Sequence, residues 1–214
     1  MKEVVYTLLS EGSSDKALLP ILTWLLRHHL PEYAIQSEWA DLGSFPNPPS
    51  TLEERIVYSV KYYPCDVLFV HRDADNQGRS QRLHEIETAV NKVAEDQKVS
   101  VIYVIPVRMT EAWLLFAESA IRLAAENPKG RQPLELPKLR KVESIADPKD
   151  LLHSLLRQAS GASGRRLKKF NAMLSSKVQR IAEVTDDFSP LRELSAFTEL
   201  EKSVCDFIEH IQHS

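Results

Sequence analysis

The chain has little of what staples a small protein together. Two cysteines, Cys65 and Cys205, occur in 214 residues, and neither has a Cys-x-x-Cys partner. A disulfide framework or a thiolate metal module is therefore disfavoured, and the thiols are expected to pack as small buried groups. The seven histidines show no metal-ligand spacing; His28-His29 closes an expected helix, where positive charge is favourable. No apolar run reaches the ~18 residues of a membrane span. The sequence opens on an apolar strand with no basic, cleavable leader, so a cytoplasmic protein with no membrane contact is expected. An excess of one charge is missing too. With 27 Lys+Arg against 30 Asp+Glu the formal charge is −3, so any affinity for nucleic acid must come from local patches. Repeats and low-complexity tracts are absent. What remains, 43% of it hydrophobic, suffices for one full core plus an appendage.

The stretch that stands out is Val67-Leu68-Phe69-Val70-His71-Arg72-Asp73-Ala74-Asp75-Asn76. A continuous apolar run reads as a strand buried on both faces. It delivers Asp73 and Asp75 to the strand's carboxyl end, where open α/β sheets bind ligands. In extended backbone, residues i and i+2 point the same way, so both carboxylates are expected to face one site with Ala74 turned aside. Two close carboxylates repel unless a proton or cation intervenes, and hard oxygen donors suit Mg²⁺ or Mn²⁺. The competing reading is a solvated turn. His71-Arg72-Asp73 is not a kinase catalytic loop, because Asn76 stands three rather than five residues on and the Gly-rich loop and D-F-G are missing.

Along the chain, residues 3–9 read as a first strand, followed by the turn Ser10-Glu11-Gly12-Ser13-Ser14-Asp15. A helix from about Ser14 to His29 is apolar nearly all round, and Pro20 inside it is expected to kink it. Strand 34–40 and a proline-rich loop over 43–50 precede a helix capped by Thr51 with Glu54 as capping-box partner. Strand 66–71, a helix from Arg79 to about Gln97, strand 99–105 and a helix from Thr110 to Glu126 complete a β-α-β-α-β-α-β-α order. That order predicts a parallel sheet with right-handed crossovers. Residues 127–149 hold Pro128, Pro133, Pro137 and Pro148 with no clear period, and helices are expected near 148–159, 170–184 and 190–211. The division is thus 1–126, a proline-rich loop 127–149, and a helical region 150–214. Trp24, Trp39 and Trp113 read as core residues.

Further acids lie at the other strand ends. Glu11 and Asp15 follow strand one, and Glu111 opens the helix after strand four. Each alone can be read as a surface carboxylate or as relief of a helix dipole; together they predict carboxylates converging on one crevice. Glu11-Gly12-x-x-Asp15 together with Asp73-x-Asp75 resembles the TOPRIM domain of topoisomerases, bacterial primases, M5-type ribonucleases and overcoming-lysogenization-defect nucleases. The Glu11/Asp15 pairing is similar to the nuclease branch. Glu111-Ala112-Trp113-Leu114-Leu115 further resembles an uncharacterised bacterial TOPRIM-like family, often encoded beside ABC-type ATPases in phage-defence loci. The resemblance covers roughly residues 1–125, and His71-Arg72 departs from the small or apolar residues usual before Asp73. It implies a three-layer, Rossmann-like α/β fold with a central parallel sheet of about four strands, and a Mg²⁺- or Mn²⁺-dependent nuclease.

The metal-ligand candidates are Glu11, Asp15, Asp73, Asp75 and Glu111. Glu11 is also the candidate general base, with Arg72, Arg79 or Arg108 to offset charge on the phosphorane. A basic window lies in the tail: Arg165, Arg166, Lys168 and Lys169 follow Gly161-Ala162-Ser163-Gly164, and residues 151–182 contain no Asp or Glu. With Arg79, these are the candidate nucleic-acid contacts, DNA ahead of RNA, on a mobile loop; an ordinary solvated face is the alternative. Topoisomerase and primase activity are disfavoured for want of a Tyr-bearing domain and a zinc module. Two other classes remain: a regulatory or toxin-type subunit active only with a partner ATPase, and another metal-dependent phosphotransferase or D-x-D glycosyltransferase.

Overall fold

The computed structural model describes residues 2–75, 77–94 and 99–213. Strands β1 (Lys2–Leu9), β2 (Tyr33–Trp39), β3 (Val67–His71) and β4 (Ser100–Val104) form one all-parallel sheet in the order β2-β1-β3-β4. Register runs Tyr6 to Val67 and Leu9 to Val70 across β1/β3, and Val67 to Ser100 and His71 to Val104 across β3/β4. The chain leaves β1 toward one edge and β3 toward the other, so their carboxyl ends flank a switch point, the crevice where such sheets bind ligands.

Alternation along the strands divides the core. Tyr6, Leu8, Val67, Phe69, Ile102 and Val104 face α1 (Leu18–His29) and the C-terminal helices. Leu9, Leu68 and Val70 face α2 (Leu52–Tyr62) and α3 (Arg79–Lys92). The result is three layers, helix on sheet on helix. Thr51 and Glu54 make the expected capping box, the Thr51 hydroxyl accepting from the Glu54 N–H at 3.2 Å and the Glu54 carboxylate accepting from the Thr51 N–H at 3.1 Å.

Several expected elements are interrupted. The first helix begins as a 3-10 turn, Ser13–Ala17, and the α-helix starts only at Leu18. Pro20 thereby falls in the first turn, where N–H groups have no intrahelical acceptor, and the expected kink has no cause. The helix expected over 110–126 divides into a 3-10 turn, Thr110–Leu114, and α4 (Glu118–Ala124). Helix α3 ends at Lys92, with Val93 extended; the remainder of its expected length includes residues 95–98, outside the described residues. The tail holds α5 (Pro148–Ser160), α6 (Gly164–Asn171), α7 (Leu174–Glu183) and α8 (Ser195–His213); α7 is the helix expected over 170–184, and α6 was not expected. Trp113 is fully buried, whereas Trp24 and Trp39 are half-buried. Val142, Leu152, Leu156, Ile181, Phe197 and Leu200 belong to the same core as Tyr6 and Phe69.

Candidate active site

The site is assembled at the carboxyl ends of β1, β3 and β4. After β3 the backbone keeps pairing with the segment after β4. Arg72 N–H donates to the Val104 carbonyl at 3.2 Å, Ala74 to Pro106 at 3.2 Å and Asp75 to Arg108 at 3.0 Å. Two non-glycine residues there adopt left-handed backbone, Asp75 at φ 46° and Arg108 at φ 69°. Such conformations cost energy and persist only where their surroundings enforce them.

The turn at Asp75 changes the expected geometry. Ala74 turns aside into the core between the sheet and α2 and α3, but the carboxylates do not share one side chain direction, because extended backbone ends before Asp75. Asp73 faces β4: its Oδ1 accepts the Thr110 N–H at 3.0 Å and lies 3.5 Å from the Thr110 hydroxyl. It thereby binds an otherwise unpaired N–H of the 3-10 turn that carries Glu111. Asp75 faces α3, with Oδ2 3.5 Å from an Arg82 nitrogen.

His71 stands at the centre. It is 2% exposed, and its Nδ1 lies 3.0 Å from the Val104 carbonyl. A carbonyl can only accept, so Nδ1 carries the proton of that bond. Nε2 is thereby turned toward Asp73 Oδ1 at 3.5 Å, Asp15 Oδ2 at 3.9 Å and the Thr110 hydroxyl at 3.4 Å. Asp15 is fixed within its 3-10 turn, accepting the Gly12 N–H at 3.0 Å and facing the Ser14 hydroxyl at 3.2 Å. Asp15 therefore looks back over the sheet toward His71 and, across it, Asp73.

Asp73 bears the electrostatic cost. Its carboxyl is pushed up to about 7, first by burial; His71 opposes the rise, and Asp15, Glu111 and Asp75 reinforce it. Glu111 is 7% exposed, with its carboxylate 3.4 Å from Lys149 Nζ on α5. Glu11, more exposed, pairs with Arg72 Nε at 3.0 Å, off the line of a hydrogen bond, so that buried N–H stays unbonded among the described residues. Arg72 also reaches Glu85 at 2.9 Å.

Sequence reasoning missed part of this shell. Arg82 donates to the Asp73 carbonyl at 2.9 Å and pairs with Glu85 at 3.0 Å. The available signal was an arginine at helical spacing from Ile86 and Ala89, the inward face of α3. Arg55 of α2 donates to the Ser10 carbonyl. Burial and Arg72 lower its pKa, opposed by Glu11 and Asp15, which puts its charge over the end of β1. Arg79 is turned away and pairs with Glu199 of α8. The tail cations Arg165, Arg166, Lys168 and Lys169 ride on helix α6 rather than on a loop. The glycines before them make a turn with Gly161 and Gly164 at positive φ.

Asp73 and Asp15 supply hard oxygen donors beside a buried histidine, with Asp75 and Glu111 within electrostatic reach, and the unrelieved like charge on Asp73 suits a divalent cation. No three His, Cys, Asp or Glu side chains among the described residues already stand as a coordinating group; Glu11, Asp75 and Glu111 are each drawn aside by a cation. No helix among the described residues is long and apolar enough to cross a membrane. The chain matches no family model, and no curated protein or solved structure is significantly similar to it.

Proposed function

We propose that this chain is a cytoplasmic, Mg²⁺- or Mn²⁺-dependent phosphodiesterase acting on nucleic acid, as the TOPRIM resemblance implies. One observation carries the reading: carboxylates from three β–α junctions act on the half-buried Asp73, and arginines border them. In this reading Asp73 and Asp15 would hold the ion, with Asp75 and Glu111 adding negative charge nearby, and the ion would supply charge neutralisation at the phosphate and a more acidic water. Because the Asp73 carboxyl is raised to about 7, ligation would displace its proton, and metal uptake would be coupled to pH around neutrality. Glu11 accepts the proton of the attacking water, with Arg72 fixing its direction. The guanidinium groups of Arg72, Arg55 and Arg108 offset charge on the phosphate. Arg82 positions Asp73 and Asp75 and does not touch the substrate. DNA ahead of RNA as substrate, and an ABC-type ATPase as partner in phage defence, follow from the resemblance alone.

The test is a Mg²⁺/Mn²⁺ titration of nuclease activity on DNA and RNA, comparing wild type with Asp73→Ala. The expected result is metal-dependent cleavage that drops roughly 100-fold or more in the variant. Undiminished cleavage by Asp73→Ala sinks the assignment. Retained cleavage in Glu11→Gln removes Glu11 as the general base, and no cleavage by wild type with either metal would favour the D-x-D transferase reading, which has no need of that base.

A further inference from the structure

A second polar cavity lies away from the acidic crevice, and it is basic. The ends of α4, α5, α6 and α7 enclose about 390 Å³, lined by Glu126, Arg166, Lys169, Phe170, Met173 and Lys177 among others. Small-molecule sites run from about 300 to 1,000 Å³, so this one has room for a single nucleotide unit rather than a length of strand.

Lys177 is the unusual member. It is 7% exposed, and lysine is seldom buried unless paired. Its partner, Glu126, is itself mostly solvated and sits at φ 61° just past α4. An ammonium has three donors; among the described residues the acceptor Lys177 meets is Glu126, and its Nζ lies 5.8 Å from the Phe170 ring centre. Arg166 and Lys169 are exposed and enter no ion pair among the described residues. Three cations against one carboxylate leave the lining with two net positive charges. That matches a phosphate monoester dianion, whereas each internal phosphodiester of a strand carries one negative charge. Beside the charges lies an apolar surface: buried Phe170, and Met173, one of the large apolar side chains left exposed. A polarizable thioether next to a ring suits a planar base.

We propose that this cavity binds a nucleoside phosphate monoester, the phosphate held by Arg166, Lys169 and Lys177 and the base resting on Phe170 and Met173. The ligand is a free 5′-mononucleotide or the 5′-phosphorylated end of a nucleic acid; both present the same group. The site does not depend on the metal chemistry proposed for Asp73.

Calorimetry on the full chain in EDTA, where the proposed hydrolysis is silent, tests it. The probes are adenosine 5′-monophosphate, adenosine, and one short oligonucleotide with either a 5′-phosphate or a 5′-hydroxyl. Each phosphorylated probe that binds is expected to bind one per chain and about tenfold or more tighter than its unphosphorylated counterpart, the worth of a charge-assisted hydrogen bond. Binding of the mononucleotide identifies a free nucleotide as a sufficient ligand, and binding of the phosphorylated oligonucleotide alone identifies a strand end. Arg166→Glu and Lys169→Glu, both at exposed positions, are each expected to weaken binding about tenfold or more. Lys202→Glu, an equal charge change on α8, is expected to change it less than about twofold. Circular dichroism confirms that the variants fold. Equal binding of phosphorylated and hydroxyl probes, no saturable binding of either phosphorylated probe, or cavity variants that behave like Lys202→Glu would overturn the proposal.

Discussion

Asp73 accepts the first N–H of the 3-10 turn after β4 and also carries the repulsion of three other acids. These roles pull in opposite directions as pH changes. With its carboxyl raised from 3.8 to about 7, the folded protein binds a proton there that the unfolded chain has released. Stability from this group is therefore present at pH 4 and is lost as pH rises through 7. Asp73→Asn, which keeps the shape without the charge, is expected to stabilise the fold above pH 7 by about 1–3 kcal/mol. It should also flatten the dependence of Tm on pH between 4 and 7. A Tm for the variant that still falls steeply across that window would place the cost on another group. Arg82 works in the opposite sense. Its guanidinium is buried and divided among the Asp73 carbonyl, Asp75 and Glu85, so Arg82→Met removes the donor to the Asp73 carbonyl and the cation beside two partly exposed carboxylates. A loss of about 1–2 kcal/mol in urea unfolding is expected.

At the scale of elements, short local signals were legible and long-range packing was not. The capping box at Thr51/Glu54 needs only neighbours in sequence, and Thr51→Ala is expected to cost about 1 kcal/mol in thermal unfolding. The apolar run 67–70 marked the central strand because a strand buried on both faces shows no polar alternation. The strand-end acids Glu11, Asp15, Asp73, Asp75 and Glu111 were readable because each follows a strand or opens a turn. Their pairing was not, since Arg82 and Lys149 reach them from two different helices. The i, i+2 rule failed at Asp75 for a local reason: pairing with Arg108 bends the backbone into left-handed conformation. Helix starts were misjudged where the chain enters through a 3-10 turn, as at Ser13–Ala17 and Thr110–Leu114. Periodicity alone does not separate one turn of each kind.

For the whole molecule, composition suggested a catalytic region with a helical appendage, yet the helices after residue 147 and one face of the sheet share a single core. Helix α8 packs on β4, and α7 packs on the 3-10 turn that holds Asp15, where the Gln179 amide donates to the Ser13 carbonyl at 2.8 Å. A fragment ending at residue 126 would uncover that face. Such a fragment is expected to aggregate or bind hydrophobic dyes, while the full chain unfolds in one transition; a well-folded 1–126 would show that the sheet is self-sufficient. The proline-rich connection at 127–149 is mostly at the surface. A protease that nicks it would divide the polypeptide without dividing the particle: the two pieces would migrate as one body on gel filtration and part only in denaturant.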